Sequence, residues 1–300
     1  MGTKPNNPKR EHHVLPELYL KGFVIKGDER FIWTYKRGEP YNPGTGKITN
    51  NPYKISVRSK RVRDFYAYPE EPGVKDFDTY ENILESLEKP ANPIFQKIRT
   101  LKPITAEEKR TFSLYIVQMF RRVPAYRKNM KDLLIKTAPN YVPRNAPKEI
   151  VENLSLAEIR QIVQEIAQED GVEIQSQLKS FTTAKDSILV DKISGMKWQY
   201  FIAPNGHPFL MGDNPVHFPK KLGLKHNKAE LTFPISSEVT LVASWQTGRD
   251  ENFVKATPEI VRKINRRIAG NASHELYFCE SREWAANLLN RSEHEYRPIY

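Results

Sequence analysis

The 300-residue chain is 39% apolar and 11% aromatic with a formal net charge of +11, enough apolar material for a real core and unlike a disordered chain. No run approaches the roughly 18 to 20 apolar residues of a membrane span, and the opening MGTKPNNPKREHH lacks the apolar segment of a secretory signal, so a cytoplasmic protein without a membrane partner is expected. The single cysteine, Cys279, excludes an internal disulfide and a thiol-based zinc site.

The charge excess is N-terminal. Residues 1–66 hold 14 Lys/Arg against 6 Asp/Glu, a local +8 that leaves +3 for the rest. Within this segment Glu17-Leu18-Tyr19-Leu20 begins a short helix, and Arg30 to Lys36 has strand composition. Glu39 to Pro52, with three prolines, two glycines and three asparagines, is a loop. The basic stretch Arg58, Lys60, Arg61 and Arg63 then runs into Phe65, Tyr66 and Tyr68, a mixture suited to phosphate contact and base stacking. Arg58, Lys60, Arg61, Arg63 and Tyr66 are therefore the nucleic-acid-binding candidates. A solvated basic face that serves solubility reads the same charges equally well.

Asp78 to Glu88 has helical spacing at Ile83, Leu84 and Leu87, and Pro90 and Pro93 are expected to break or kink the chain beyond it. Thr105-Ala106-Glu107-Glu108 is a capping box. The helix it starts buries Phe112, Tyr115, Ile116, Met119 and Phe120 and ends or bends near Val123-Pro124. Ser155 to Glu158 repeats the capping signal, placing Ile159, Ile162, Val163 and Ile166 in one stripe on a helix that runs to Gly171. A further helix is expected from about Val172 to Ile193. Pro139 to Pro147 is the candidate linker, dividing a single 1–300 domain into a mixed and helical part, 1–138, and a helical pair with a β-rich part, 148–300.

From Lys197 the pattern changes. Trp198 to Ile202 and Pro208 to Met211 read as two strands around the turn residues Asn205-Gly206. Further strands are expected at Glu230 to Pro234, Val239 to Trp245 and Glu275 to Cys279, with helices at Pro258 to Ala269 and Glu283 to Leu289. Cys279 closes the apolar run Leu276-Tyr277-Phe278, which favours a buried structural thiol over a nucleophile. The fold class is α+β, with a helical N-terminal and middle region and an antiparallel β-rich C-terminal part.

Four constellations carry candidate chemistry. His12 and His13, adjacent on an extended backbone, point to opposite sides, so one of them enters a given site as base or metal ligand, or is a structural histidine. Glu81, Glu85 and Glu88 recur at four- and seven-residue steps, as carboxylates around a cation do and as solvated helix faces also do. Asp213, in Met211-Gly212-Asp213-Asn214-Pro215-Val216, is delivered at a strand end, either to a metal or imidazole or to cap its own turn. Arg121 and Arg122, at a helix end, bind phosphate or cap carbonyls. No Walker loop, G-x-G-x-x-G, H-E-x-x-H, G-x-S-x-G or C-x-x-C occurs, which removes the usual support for P-loop, Rossmann and α/β-hydrolase chemistry.

In this order the constellations resemble the domain of unknown function 4238 family. The resemblance runs from His12-His13-Val14-Leu15-Pro16 with Tyr19, Leu20 and Phe23 through Phe31 to Tyr35, Asp64-Phe65-Tyr66, Glu81 to Glu88, Arg122-Val123-Pro124, Pro208 to Val216, Phe233 to Ser236 and Asn265 to Asn271. Met211-Gly212 stands where that family usually shows Thr-Ser, which removes the hydroxyls from that position. The resemblance brings no reaction, but it singles out His12, His13, Glu81, Glu88, Arg122, Asp213 and Asn214. Two functions are expected from these residues. One is a phosphodiester hydrolase on RNA or DNA, as in a bacterial defence effector. In it Asp213 with Glu81 or Glu88 holds Mg²⁺ or Mn²⁺, a histidine of the pair activates water and Arg122 stabilises phosphate charge. The other is a non-catalytic nucleic-acid- or protein-binding module in which the same residues form a buried network closed to solvent.

Overall fold

Both ends of the described chain contribute strands to one sheet, and that arrangement organises the molecule. The computed structural model describes residues 11–38, 41–42, 47–48, 52–58, 61–63, 68–71, 74–76, 79–145, 153–168, 177, 179–180, 187–219, 223–246 and 252–290. Of 11–13, 41–42, 47–48, 61–63, 68–71, 74–76, 79–80, 138–145 and 167–168 it describes the backbone only.

The N-terminal third supplies β1 (Glu11–His13), α1 (Glu17–Leu20), a 3₁₀ turn at Lys21–Phe23 and β2 (Phe31–Lys36). Short strands come next: β3 (Tyr41–Asn42), β4 (Lys47–Ile48), β5 (Tyr53–Ser56), β6 (Arg61–Arg63), β7 (Tyr68–Glu71) and β8 (Val74–Asp76). β1 pairs with β6, β3 with β4 and β7 with β8, each antiparallel.

The middle is helical: α2 (Thr79–Glu88), α3 (Asn92–Arg99), α4 (Ala106–Arg121), α5 (Pro124–Asn145), α6 (Leu156–Gln168) and α7 (Ile188–Gly195). Pro90 and Pro93 do not end helical structure. A 3₁₀ turn at Lys89–Ala91 links α2 to α3, and Pro93 lies in the first turn of α3, where a missing N–H leaves no intrahelical bond unmade. Pro124 opens α5 in the same way. The linker expected from Pro139 is helix as far as Asn145, so α5 runs through Pro139 and Pro143; residues 146–152 lie outside the described residues. Both halves of each expected capping box are made. The Glu108 amide donates to Thr105 Oγ1 at 3.2 Å and the Thr105 amide to Glu108 Oε2 at 2.8 Å, and Ser155 and Glu158 do likewise at 3.3 and 2.8 Å. The stripe on α6 is only partly covered: Ile159 is buried, but Ile162 and Ile166 are exposed. Of the helix expected from Val172 to Ile193, α7 forms at its C-terminal end, and most of the rest lies outside the described residues.

The C-terminal part gives β9 (Lys197–Ile202), β10 (Met211–Gly212), β11 (Glu230–Pro234), β12 (Val239–Ser244), β13 (Phe253–Lys255), α8 (Pro258–Asn271), β14 (Glu275–Phe278) and α9 (Glu283–Asn290). The strands flanking Asn205-Gly206 do not form a hairpin. β9 joins β12 and β13 in a sheet of order β11-β12-β9-β13, whereas β10 joins β14 in a sheet of order β10-β14-β2-β5. The turn, with Gly206 at a φ of 77° that suits glycine, carries the chain from one sheet to the other. Neighbours in both sheets are antiparallel except β13, which lies parallel to β9. The result is an α+β fold.

Two apolar clusters fill it. Phe95, Phe112, Tyr115, Trp198 and Phe233 join the first sheet to α3 and α4, with Phe95 edge-on to Phe112 at 4.9 Å and Tyr19 stacked on Phe233 at 5.2 Å. Tyr35, Ile264, Ile268, Leu276, Phe278 and Leu289 join the second sheet to α8 and α9. α8 also reaches the first sheet, where Arg267 pairs with Glu230 at 2.5 Å in full burial. Arg99 secures α1. Its Nη2 donates to the carbonyls of Leu18 and Ile235 at 3.1 and 3.2 Å, satisfying a helix end too short to satisfy itself. Among the described residues no helix is long and apolar enough to cross a membrane.

Candidate functional site

On α4 and its C-cap, Tyr115, Gln118 and Arg122 recur at three- and four-residue steps and so share one face. That face is turned inward. Arg122 is 1% exposed and Gln118 likewise, and the Arg122 Nη1 donates to Glu88 Oε1 at 2.5 Å. Burial pushes the Tyr115 hydroxyl well above the ordinary tyrosine range, and the charge of Glu88 pushes it further. Neither the Tyr115 hydroxyl nor the Gln118 amide group has a hydrogen-bond partner among the described residues. Glu88 and Glu81 stand two turns apart on α2, so they share a side of that helix. Glu85 instead is exposed and pairs with Lys89 at 3.2 Å.

Asp213 immediately follows β10. Its backbone donates to the Glu275 carbonyl at 3.1 Å, and its carboxylate accepts from the amides of Ser273 and His274 at 2.7 Å each and of Glu275 at 3.3 Å. The side chain thus caps the turn from α8 into β14. Burial raises its pKa, and the His274 and Ser273 amides pull it back down. Next to it, Asn214 Nδ2 donates to the Asn271 carbonyl at 3.2 Å, while Asn271 Nδ2 donates to the carbonyls of Asn214 and Val216 at 2.7 and 2.9 Å. Gly212 permits this closeness, because a Cβ there would meet that of Ala272 at 3.0 Å. The Asn214 Oδ1 has no partner among the described residues. Asn214, Asn271, Val123 and Tyr126 line a cavity of about 30 Å³, room for a single water. Val123 and Asn214, the chain neighbours of Arg122 and Asp213, therefore meet at that cavity.

β1 and β6 bring together two other features read separately from the sequence. His13 lies opposite Arg61, His12 opposite Val62 and Glu11 opposite Arg63. The histidine pair and Arg61 and Arg63 of the basic run form one ribbon, although the side chains of these four lie outside the described residues. Lys60 and Tyr66 also lie outside them. Arg58 is exposed, 3.6 Å from the Glu17 carboxylate.

The metal group expected from Glu81, Glu88 and Asp213 is not assembled: among the described residues no three His, Cys, Asp or Glu side chains are placed to hold a cation. The reason is competition for oxygens, with Glu88 taken by Arg122 and Asp213 by three amides. Three residues beside these are not singled out as candidates by the sequence, although Asn271 ends the Asn265 to Asn271 stretch of the family resemblance. Glu275 accepts from the Tyr277 hydroxyl at 2.5 Å and from Tyr53 at 3.4 Å, and Asn271 clasps Asn214. Gln118, four residues before Arg122, carries no sequence signal of its own.

A family model described as a protein of unknown function (DUF4238) matches residues 11–282. No curated protein matches the chain, and no solved structure does.

Proposed function

The chain belongs to the DUF4238 family of proteins of unknown function, and from that premise we propose that it is a non-catalytic nucleic-acid-binding module whose Glu88–Arg122 and Asp213 networks are framework. One observation carries this reading: two of the groups a hydrolase would turn toward a substrate, Arg122 and Asp213, are spent inside the protein. Arg122 is closed off from solvent on Glu88, and both oxygens of Asp213 are taken by backbone amides. Chemistry on a phosphodiester needs such groups open to the reacting atoms. The net charge of +11 supports a polyanionic partner.

A second reading, a phosphodiester hydrolase, is favoured by Asp213 itself. A carboxylate whose pKa is raised by burial, beside Glu275 and the exposed His274, has the character of an acid–base group. Labelled single- and double-stranded RNA and DNA, incubated with the protein in Mg²⁺, Mn²⁺ or EDTA, separate the two. Salt-sensitive binding without cleavage in any condition supports the module. Cleavage lost in folded Asp213→Ala, or in folded His12→Ala/His13→Ala, supports the hydrolase.

A further inference from the structure

The groove between α8 and α9 has the chemistry of a nucleotide site. It encloses about 480 Å³ and shares no lining residue with the Asp213 turn. From α9, Trp284 and Leu288, one turn apart, form one wall. Trp284 is 44% exposed, a large aromatic surface left uncovered, and stands edge-on to Phe278 at 5.3 Å. From α8, Val261 supplies apolar floor, while Arg262 and Arg266, four residues apart on its solvent side, form the opposite rim.

Charge distinguishes this groove from an ordinary crevice. Arg262, Arg266 and Arg282 all line it, with His207 at the end formed by the Asn205-Gly206 turn, and among the described residues no carboxylate lines it. Arg282 is held by Glu280 at 2.5 Å, which fixes its position. Arg262 and Arg266 make no ion pair with a described residue, whereas Lys263 between them pairs with Glu259. These two guanidinia, a helical turn apart, oppose an exposed indole across a concave apolar floor. The guanidinium fork suits phosphate and the indole suits a planar base.

We propose that the α8–α9 groove binds a nucleotide, with its base on Trp284 and its phosphate between Arg262 and Arg266, either as a free mononucleotide or as one residue of a single strand. This deepens the binding reading above, and rests on it where the nucleotide belongs to a strand. The two sources separate in one titration series. AMP, adenosine, inorganic phosphate and a single-stranded 12-mer are each titrated against the full chain by calorimetry and tryptophan fluorescence. The same titrations are run on Trp284→Leu, Trp284→Phe and Arg262→Gln/Arg266→Gln, each checked by thermal melting; the substituted side chains are exposed, so the fold is retained.

AMP is expected to quench fluorescence and to bind more tightly than adenosine or phosphate. Trp284→Leu and the double arginine variant are each expected to lose roughly tenfold or more, and Trp284→Phe to keep most of the affinity, because stacking tolerates a change of ring. If AMP binds in this way and the 12-mer does not, the groove takes free nucleotides and the strand-binding reading fails alone. If the 12-mer binds the chain and both loss variants equally well and AMP binding is likewise unchanged in those variants, the groove inference is overturned and the strand-binding reading stands. Phosphate binding as tightly as AMP, or no binding of AMP or the 12-mer, also overturns the inference.

Discussion

Arg122 donates to Glu88 across the α2–α4 contact at 2.5 Å, with 2% of the arginine side chain exposed and 24% of the glutamate. The asymmetry decides what each substitution does. Removing Glu88 takes a carboxylate partner from a buried guanidinium, whereas removing Arg122 leaves a carboxylate that still reaches water. Glu88→Gln should therefore destabilise by about 3 kcal/mol, in the range for breaking a buried pair and leaving its less exposed member, and Arg122→Met by clearly less. Glu88→Leu with Arg122→Met should recover most of the loss. Urea unfolding of the four proteins measures this, and equal single losses would contradict it.

Asp213 links the fold to pH in the opposite sense from most native carboxylates. Its pKa is raised by burial, so the folded state holds its proton more tightly than the unfolded chain does. Ionisation therefore costs stability. The cost is absent below the unfolded pKa and fully present above the raised folded one. Relative to Asp213→Asn, the native protein should lose stability as the pH rises from about 4 to 7, seen as a closing gap or a crossing of the two unfolding curves. A gap that widens in favour of the native protein over that range would refute the assignment. Asp213→Ala should cost roughly 2 kcal/mol or more at neutral pH, because three amides lose their acceptor.

Gly22 lies under Arg99. A Cβ there would fall 2.6 Å from Arg99 Nη2 and 2.7 Å from the Ile235 carbonyl, and the carbonyl is backbone that cannot swing aside. Gly22→Ala should cost about 2 kcal/mol, as overpacking does. Gly206→Ala meets no atom within 4 Å and should cost about 1 kcal/mol through its positive φ alone. Paired thermal melts test the ordering.

Cys279 has a thiol pushed up to about 11 by burial. At pH 8 its thiolate fraction is roughly a thousandth, so alkylation should be negligible in the native state and rapid once the chain is unfolded. Fast labelling of native protein by iodoacetamide would contradict a buried structural role.

Local signals were legible where the chemistry is local. The two capping boxes, the strand from Glu230 to Pro234 and the helix begun by Pro258 depend on neighbours within four residues, and each forms where its residues place it. Partnerships across the chain were not legible. β9 and β10 look like a hairpin because Asn205-Gly206 favours a turn, but a turn sequence does not dictate which strand each arm joins. Pro93 reads as a breaker unless the preceding 3₁₀ turn is known. The site obeys the same rule. Arg122, Glu88 and Asp213 stood out as charged residues, but whether each meets solvent or another buried group depends on contacts dozens of residues away. Glu275 stood out only as the start of a strand, and Asn271 only as the end of the Asn265 to Asn271 stretch.

The second sheet places β2 between β5 and β14, so that Trp33 lies opposite Phe278, a partner made more than two hundred residues later. During synthesis, β2 emerges from the ribosome with its β5 neighbour close behind but with its other edge open until β14, more than two hundred residues later, has been translated. An apolar strand edge held open for that time invites pairing with other nascent chains. A chain ended before β14, which also lacks α9, would therefore free the edge of β2, and such a fragment should aggregate instead of folding as a smaller domain.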